Sequence, residues 1–122
     1  MIAVDSSVWI GHFLNTVAER VRLLCSLFGN IALMEVLRGA RDEPHAAPRG
    51  RELHEFDIVH MLGEALAVRV ARNYRALRTV GFTVRKTPDL IIATYCIEHH
   101  HALLHNARNI EAMRDHLGLQ VV

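Results

Sequence analysis

Three acidic residues stand where the chain is due to change direction. Asp5 directly follows the apolar run Ile2-Ala3-Val4, Glu35 lies within "LMEVLRG", and Asp89 opens "DLIIATYC" after Thr87-Pro88. Carboxylates gathered in one crevice repel each other, and a hard divalent ion such as Mg2+ or Mn2+ relieves that repulsion by taking oxygen ligands. An ion so held lowers the pKa of a bound water and braces a phosphodiester for in-line attack. Each acid also has a plainer role when taken singly. Asp5 is a helix cap or turn former, Asp89 complements a helix dipole, and Glu35 pairs with Arg38 or Arg41 on a surface. Residue types and spacing alone leave both readings open.

Two other groups carry possible chemistry. "EHHHALLH" supplies His99, His100, His101 and His105, and zinc takes imidazole ligands. Consecutive histidines at a helix end point in different directions, however, and histidine there also suits the helix C-terminus. "HEFDIVH" misses the H-E-x-x-H spacing by two positions. A polar helix end is therefore expected rather than a zinc site. Arg69, Arg72, Arg75 and Arg78 share one half of a helix, Arg85 and Lys86 follow, and no acid interrupts between Glu64 and Asp89. This local positive charge suits a nucleic-acid backbone, or else is an ordinary solvated face. The formal net charge of the 122-residue chain is only +1, so any such attraction depends on how the charges are distributed.

The elements that must position these groups alternate between strand and helix. Ile2-Ala3-Val4 reads as a buried parallel strand, and Ser6 or Ser7 caps a helix with Val8, Trp9 and Phe13 buried. Thr16 and Glu19 form a capping box for a helix through Val17, Val21, Leu24 and Phe28, stopped by Gly29. A helix is expected over Leu33 to Arg41, then a loop through "RDEPHAAPRGRE" and a helical segment from Glu52 to Phe56. Leu66, Val70, Tyr74 and Leu77 stripe an amphipathic helix over Leu62 to Leu77. Thr87, Pro88 and Asp89 read as N-cap, N1 and N2 of a helix that is apolar nearly all round. Strands over Ala102–Leu104 and Leu119–Val122 flank a helix from Ile110 to Leu117. The pattern predicts one α/β domain over residues 1–122, an open sandwich with a mostly parallel sheet, whose ligand crevice lies at the strand carboxyl ends. Cys25 and Cys96 fit no C-x-x-C or zinc spacing and read as reduced core thiols of a cytoplasmic protein. No apolar run reaches the roughly 18 residues of a membrane span, and the first residues do not resemble a signal sequence.

The segments "IAVDSSVWIGHF", "LMEVLRGAR", "TPDLIIATYCIEHHHALLH" and "LGLQVV" together resemble the PIN-domain ribonucleases of the VapC toxin type. The resemblance implies a three-layer α/β/α sandwich with a mostly parallel central sheet, and a Mg2+- or Mn2+-dependent endoribonuclease. It further implies a cognate VapB-type antitoxin and a homodimer. It carries the metal-binding and catalytic acids onto Asp5, Glu35 and Asp89, with Ser6 or Ser7 orienting the Asp5 carboxylate. Arg38 and Arg41 become candidates to meet an acidic or C-terminal antitoxin segment.

The sequence departs from the family pattern in two places. The strand "ALLH" of the family usually leads into a loop close to D-x-D-F, whereas here it leads to Ala107, Arg108, Asn109 and Ile110. Ala107 binds nothing and Asn109 offers a neutral carbonyl, with Asn106 or His105 as the groups able to compensate. Three acids with waters still suffice for one Mg2+, so weaker metal binding is expected rather than none. The second departure is length. Only Asn30, Ile31 and Ala32 separate Gly29 from Leu33, and each residue reaches at most ~3.5 Å. Either the Thr16–Phe28 helix gives up residues, or Glu35 moves off its family position. The competing expectation is a degenerate PIN domain that binds RNA or antitoxin and cuts poorly or not at all. An unrelated flavodoxin-like regulatory domain would share an Asp after the first strand but leave the D-L-I-I-A helix unexplained.

Overall fold

The structure, a computed structural model, describes residues 2–5, 8, 28–54, 57–105 and 107–122. In chain order its elements are β1 (Ile2–Val4), β2 (Phe28–Gly29), α1 (Asn30–Arg38), α2 (Glu43–Leu53), β3 (Ile58–Val59), α3 (Glu64–Thr79), α4 (Thr87–Glu98), β4 (Ala102–Leu104), α5 (Arg108–Leu117) and β5 (Gln120–Val121). β1 pairs in parallel with β4, Ile2 opposite Ala102 and Val4 opposite Leu104, and β4 pairs in parallel with β5. β2 pairs in parallel with β3 and lies against β1. Every described pairing is parallel, as helical crossovers between successive strands require. This is the α/β architecture expected from the alternating pattern.

Helix α4 explains its own composition. It packs against α1, α3, α5 and β4, and buries Asp89, Leu90, Ile91, Ile92, Ala93, Thr94 and Cys96. A helix enclosed on so many sides has little room for a polar stripe. Its one fully enclosed hydroxyl, Thr94, accepts a hydrogen bond of 3.0 Å from Asn73 Nδ2 on α3. Farther along, Arg69 on α3 meets Glu98 on α4 at 2.8 Å. The two pairings run in opposite chain order, so α3 and α4 are antiparallel. The Arg78 end of α3 therefore lies at the Asp89 end of α4.

Several sequence expectations are corrected. Phe28 and Gly29 do not end a helix but form β2, so the chain gives up helical residues before Glu35, and α1 starts at Asn30 rather than Leu33. "RDEPHAAPRGRE" is largely helix α2 rather than loop. Asp42 caps it, Oδ1 accepting from the His45 N–H at 2.9 Å, and Pro44 sits in the first turn where an N–H has no helical partner anyway. Pro48 stands inside the helix, yet α2 continues to Leu53, which is completely buried, and packs on α1. Of the segment predicted over Glu52 to Phe56, Glu52 and Leu53 belong to the end of α2 with His54 as its cap, and Glu55 and Phe56 lie outside the described residues. Thr87 is helical and Lys86 is the N-cap residue, one position earlier than expected. β3 had no counterpart in the prediction; two residues carry no periodicity. Val8 is helical and buried, while the rest of the helices predicted between Ser6 and Leu24 lies outside the described residues.

Candidate metal centre

The backbone delivers Asp5 to the carboxyl edge of the sheet. Its N–H donates to the Leu104 carbonyl at 2.9 Å, extending the β1–β4 ladder by one bond, and its carbonyl accepts from the Val8 N–H at 3.1 Å as the chain turns. Glu35 comes from α1, where Ala32, Glu35 and Val36 are buried at the i, i+3, i+4 spacing of one helix face. Two contacts fix where that helix begins. Asn30 Oδ1 accepts from the Met61 N–H at 3.2 Å. Gly29 is packed so closely that a Cβ there would lie 2.5 Å from Met61 Sδ. Asp89 lies in the first turn of α4, its N–H donating to the Lys86 carbonyl at 3.2 Å.

These three elements bring one carboxylate oxygen each from Asp5, Glu35 and Asp89 within 4.8 Å of one another. The residues are only 1%, 8% and 3% exposed. Burial raises the pKa of Asp89 above its ordinary 3.8, and the neighbouring charge of Asp5 raises it further. A hydrogen bond from Asn109, the positive charge of Lys86 and the nearby His105 ring oppose that rise. The donor set is entirely hard oxygen, and three carboxylates so close together suit Mg2+ or Mn2+. Among the described residues it is the sole grouping of three His, Cys, Asp or Glu side chains able to share an ion.

The loop after β4 closes one side. Asn109 Nδ2 donates to Asp89 Oδ2 at 3.3 Å. Ala107 is the N-cap residue of α5 and donates its N–H to His105 Nδ1 at 3.2 Å. Because Nδ1 accepts, the neutral His105 ring carries its proton on Nε2, which faces Glu111 Oε1 at 3.3 Å. Both nitrogens of His105 are thereby engaged, which removes it as a substitute ligand. Ser6, Ser7 and Asn106 lie outside the described residues.

The other expected groups separate. The side chains of Arg72, Arg75, Arg85 and Lys86 are exposed and make no hydrogen bond or ion pair among the described residues. Arg78 lies over the Tyr74 ring, 5.7 Å from its centroid. Arg69 is paired with Glu98, an acid outside the uninterrupted basic interval that returns to it in space. His99 packs tilted against Tyr95, with 4.1 Å between ring centroids, and lies over His101 at 6.0 Å, while His100 between them adopts a positive φ of 55°. Among the described residues these histidines form no grouping that could hold a metal. The signals that sequence reasoning missed are the Gly29–Asn30 contacts with Met61 and the pairing of Asn109 with Asp89. An N-cap-like Asn before a helix, or an Asn in an otherwise acidic position, would have been the only clues.

No family model matches the sequence. The fold matches solved structures over nearly the full length of both chains. A chain of the VapBC2 complex from Rickettsia felis, bound to a DNA fragment from its promoter, aligns with a TM-score of 0.79 at 16% identity, covering 100% of this chain and 98% of that one. VapBC-1 from nontypeable Haemophilus influenzae gives 0.76 at 19% identity, with 100% and 97% covered. A toxin–antitoxin complex from Klebsiella pneumoniae gives 0.72 at 21% identity, with 100% and 96% covered. The protein has the α/β fold of PIN-domain VapC structures. No helix among the described residues is long and apolar enough to cross a membrane.

Proposed function

We propose that this protein is a VapC-like toxin: a Mg2+- or Mn2+-dependent endoribonuclease restrained by a VapB-type antitoxin. The observation that carries the proposal is the convergence of the buried side chains of Asp5, Glu35 and Asp89 within 4.8 Å at the strand carboxyl ends. These three side chains would hold the ion, which when bound supplies a water of lowered pKa and charge stabilisation at a phosphate. Asp5 is the most enclosed of the three and is fixed through its backbone to β4. Asn109 holds Asp89 by its Oδ2, and Lys86 lowers the cost of keeping that carboxylate ionised.

The arginines supply the substrate side. Lys86 and Arg85 immediately precede α4, and the antiparallel packing of α3 brings Arg75 and Arg78 toward the same end. Exposed cations beside the carboxylates suit the phosphates of a single RNA strand passing the site. Arg69 lies at the other end of α4, roughly 14 Å away at 1.5 Å per residue, and is already paired. Arg72 stands between the two ends. Support for the antitoxin comes from the fold neighbours, which were solved as VapBC and toxin–antitoxin complexes. Pairing into a homodimer belongs to the same reading.

A second reading is favoured by Ala107 and Asn109: a PIN-type domain that binds RNA or antitoxin without cutting. The two are separated by incubating the protein with a structured RNA pool in Mg2+ or Mn2+. The enzyme reading predicts discrete products that vanish in EDTA and in Asp5→Asn. Intact RNA retained on the protein under the same conditions would establish the binding reading instead.

A further inference from the structure

The loop after β4 does more than lack an acid. We infer that Asn109 is a positioning residue that holds one oxygen of Asp89 and makes the Asp5–Glu35–Asp89 cluster a centre for a single divalent ion. The inference rests on the metal-centre reading and specifies how many ions that centre takes.

One contact and two arguments from charge support it. Asn109 Nδ2 donates to Asp89 Oδ2 at 3.3 Å, which engages that oxygen and leaves the other as the better acceptor for a cation. An aspartate at position 109 would share the site's negative charge, whereas the amide adds a donor and no charge. The count of charges agrees. Three ionised carboxylates around one divalent ion leave a net charge of −1, while a second ion would leave +1 among buried side chains, one of which, Asp89, already feels the positive charge of Lys86.

The neighbouring groups on that side are committed elsewhere. Glu111, the next acid along α5, accepts from Arg114 Nη1 at 2.9 Å and faces His105 Nε2 at 3.3 Å. The Ala107 side chain is a methyl group, and its N–H is taken by His105 Nδ1. Among the described residues no fourth carboxylate joins the cluster. Among the described residues the β4 side thus offers a neutral clamp on Asp89 in place of a ligand.

Mn2+ titration of the full chain, followed by calorimetry and electron paramagnetic resonance, tests this without any activity readout. The unaltered protein should bind one Mn2+ with the spectrum of an isolated ion. Asn109→Ala should still bind one ion but about tenfold more weakly, the scale set by losing a partner that orients a ligand. The double variant Ala107→Asp with Asn109→Asp should bind two ions with a magnetically coupled spectrum. The near-isosteric Asn109→Asp guards against misfolding: its metal-free melting temperature should fall and its Mn2+-induced rise should exceed that of the parent. Two ions in the parent, an unchanged affinity in Asn109→Ala, or a single ion in the double variant would overturn the inference. A parent that binds no Mn2+ would instead overturn the metal-centre reading beneath it.

Discussion

Strands β1 and β4 lie side by side in parallel register, Val4 opposite Leu104, and finish at the same edge of the sheet. Beyond Val4 the chain presents a buried carboxylate, Asp5. Beyond Leu104 it presents an imidazole locked to its own loop, a methyl group and, on the first turn of α5, an amide donating to Asp89. The two strand ends share position and differ in chemistry. The fold guarantees only that side chains following β1 and β4 meet one crevice. Whether they supply charge to a cation or a hydrogen bond to another ligand is set by single residues. Geometry and reactivity are therefore separable in this architecture.

The comparison breaks most clearly at the two positions themselves. Asp5→Asn should weaken Mn2+ binding by more than about a hundredfold, since it removes a ligand rather than its support. Ala107→Ser on the opposite side should leave the affinity unchanged. Parallel Mn2+ titrations of the two variants decide it, and equal losses would mean that the β4 side contributes ligands after all.

Asp89 sharpens the contrast, because it receives the opposing influences of both sides. Burial and the Asp5 charge raise its pKa above 3.8 in the folded protein. The native state consequently binds that proton more tightly than the unfolded chain does. This contribution to metal-free stability is fully present below pH 3.8 and is lost as pH rises through the raised folded value. Asp89→Asn removes the charge penalty. It should raise the metal-free melting temperature by a few degrees at about pH 7.5, with a smaller gain near pH 5, as followed by thermal denaturation. Saturating Mn2+ should reverse the order at neutral pH by stabilising the parent alone.

The smallest effects concern the basic surface. Arg85→Glu with Lys86→Glu, beside the carboxylates, should weaken RNA binding by about tenfold at low salt and flatten its salt dependence. Arg69→Ala, at the far end of α4, should leave RNA binding unchanged and cost less than about 1 kcal/mol of stability, as exposed ion pairs do. Filter binding across a salt series measures the first effect and denaturant melts the second. Equal RNA effects from both ends would spread the binding surface over the whole of α3.

Much of this arrangement was legible from the residues. Ile2–Val4, Ala102–Leu104 and the C-terminal strand announced themselves as short branched runs, and the apolar character of α4 all round correctly foretold its enclosure. Residue types and spacing alone leave the roles of Asp5, Glu35 and Asp89 open; the resemblance of the segments around them is what joins the three acids into one site. The failures have physical causes. β2 and β3 are two residues each, too short to show alternation, so Phe28 was absorbed into a neighbouring helical stripe. That error created the apparent shortage of chain before Glu35, which the strand removes. Pro44 and Pro48 mask α2 in the sequence, because proline ordinarily breaks a helix, whereas here Pro44 falls in the first turn and Asp42 caps it. The link between Asn109 and Asp89 spans 20 residues and depends on the packing of α5 against α4, which no local pattern encodes. The pairing of Arg69 with Glu98 was hidden in the same way.

The central claim is that the three carboxylates are a metal centre, and anomalous diffraction from crystals grown with Mn2+ tests it most directly. The account predicts one anomalous peak per chain, in contact with Asp5, Glu35 and Asp89 and with Asn109 still bonded to Asp89. Well-ordered crystals with Mn2+ bound elsewhere and no peak among those three side chains would contradict it.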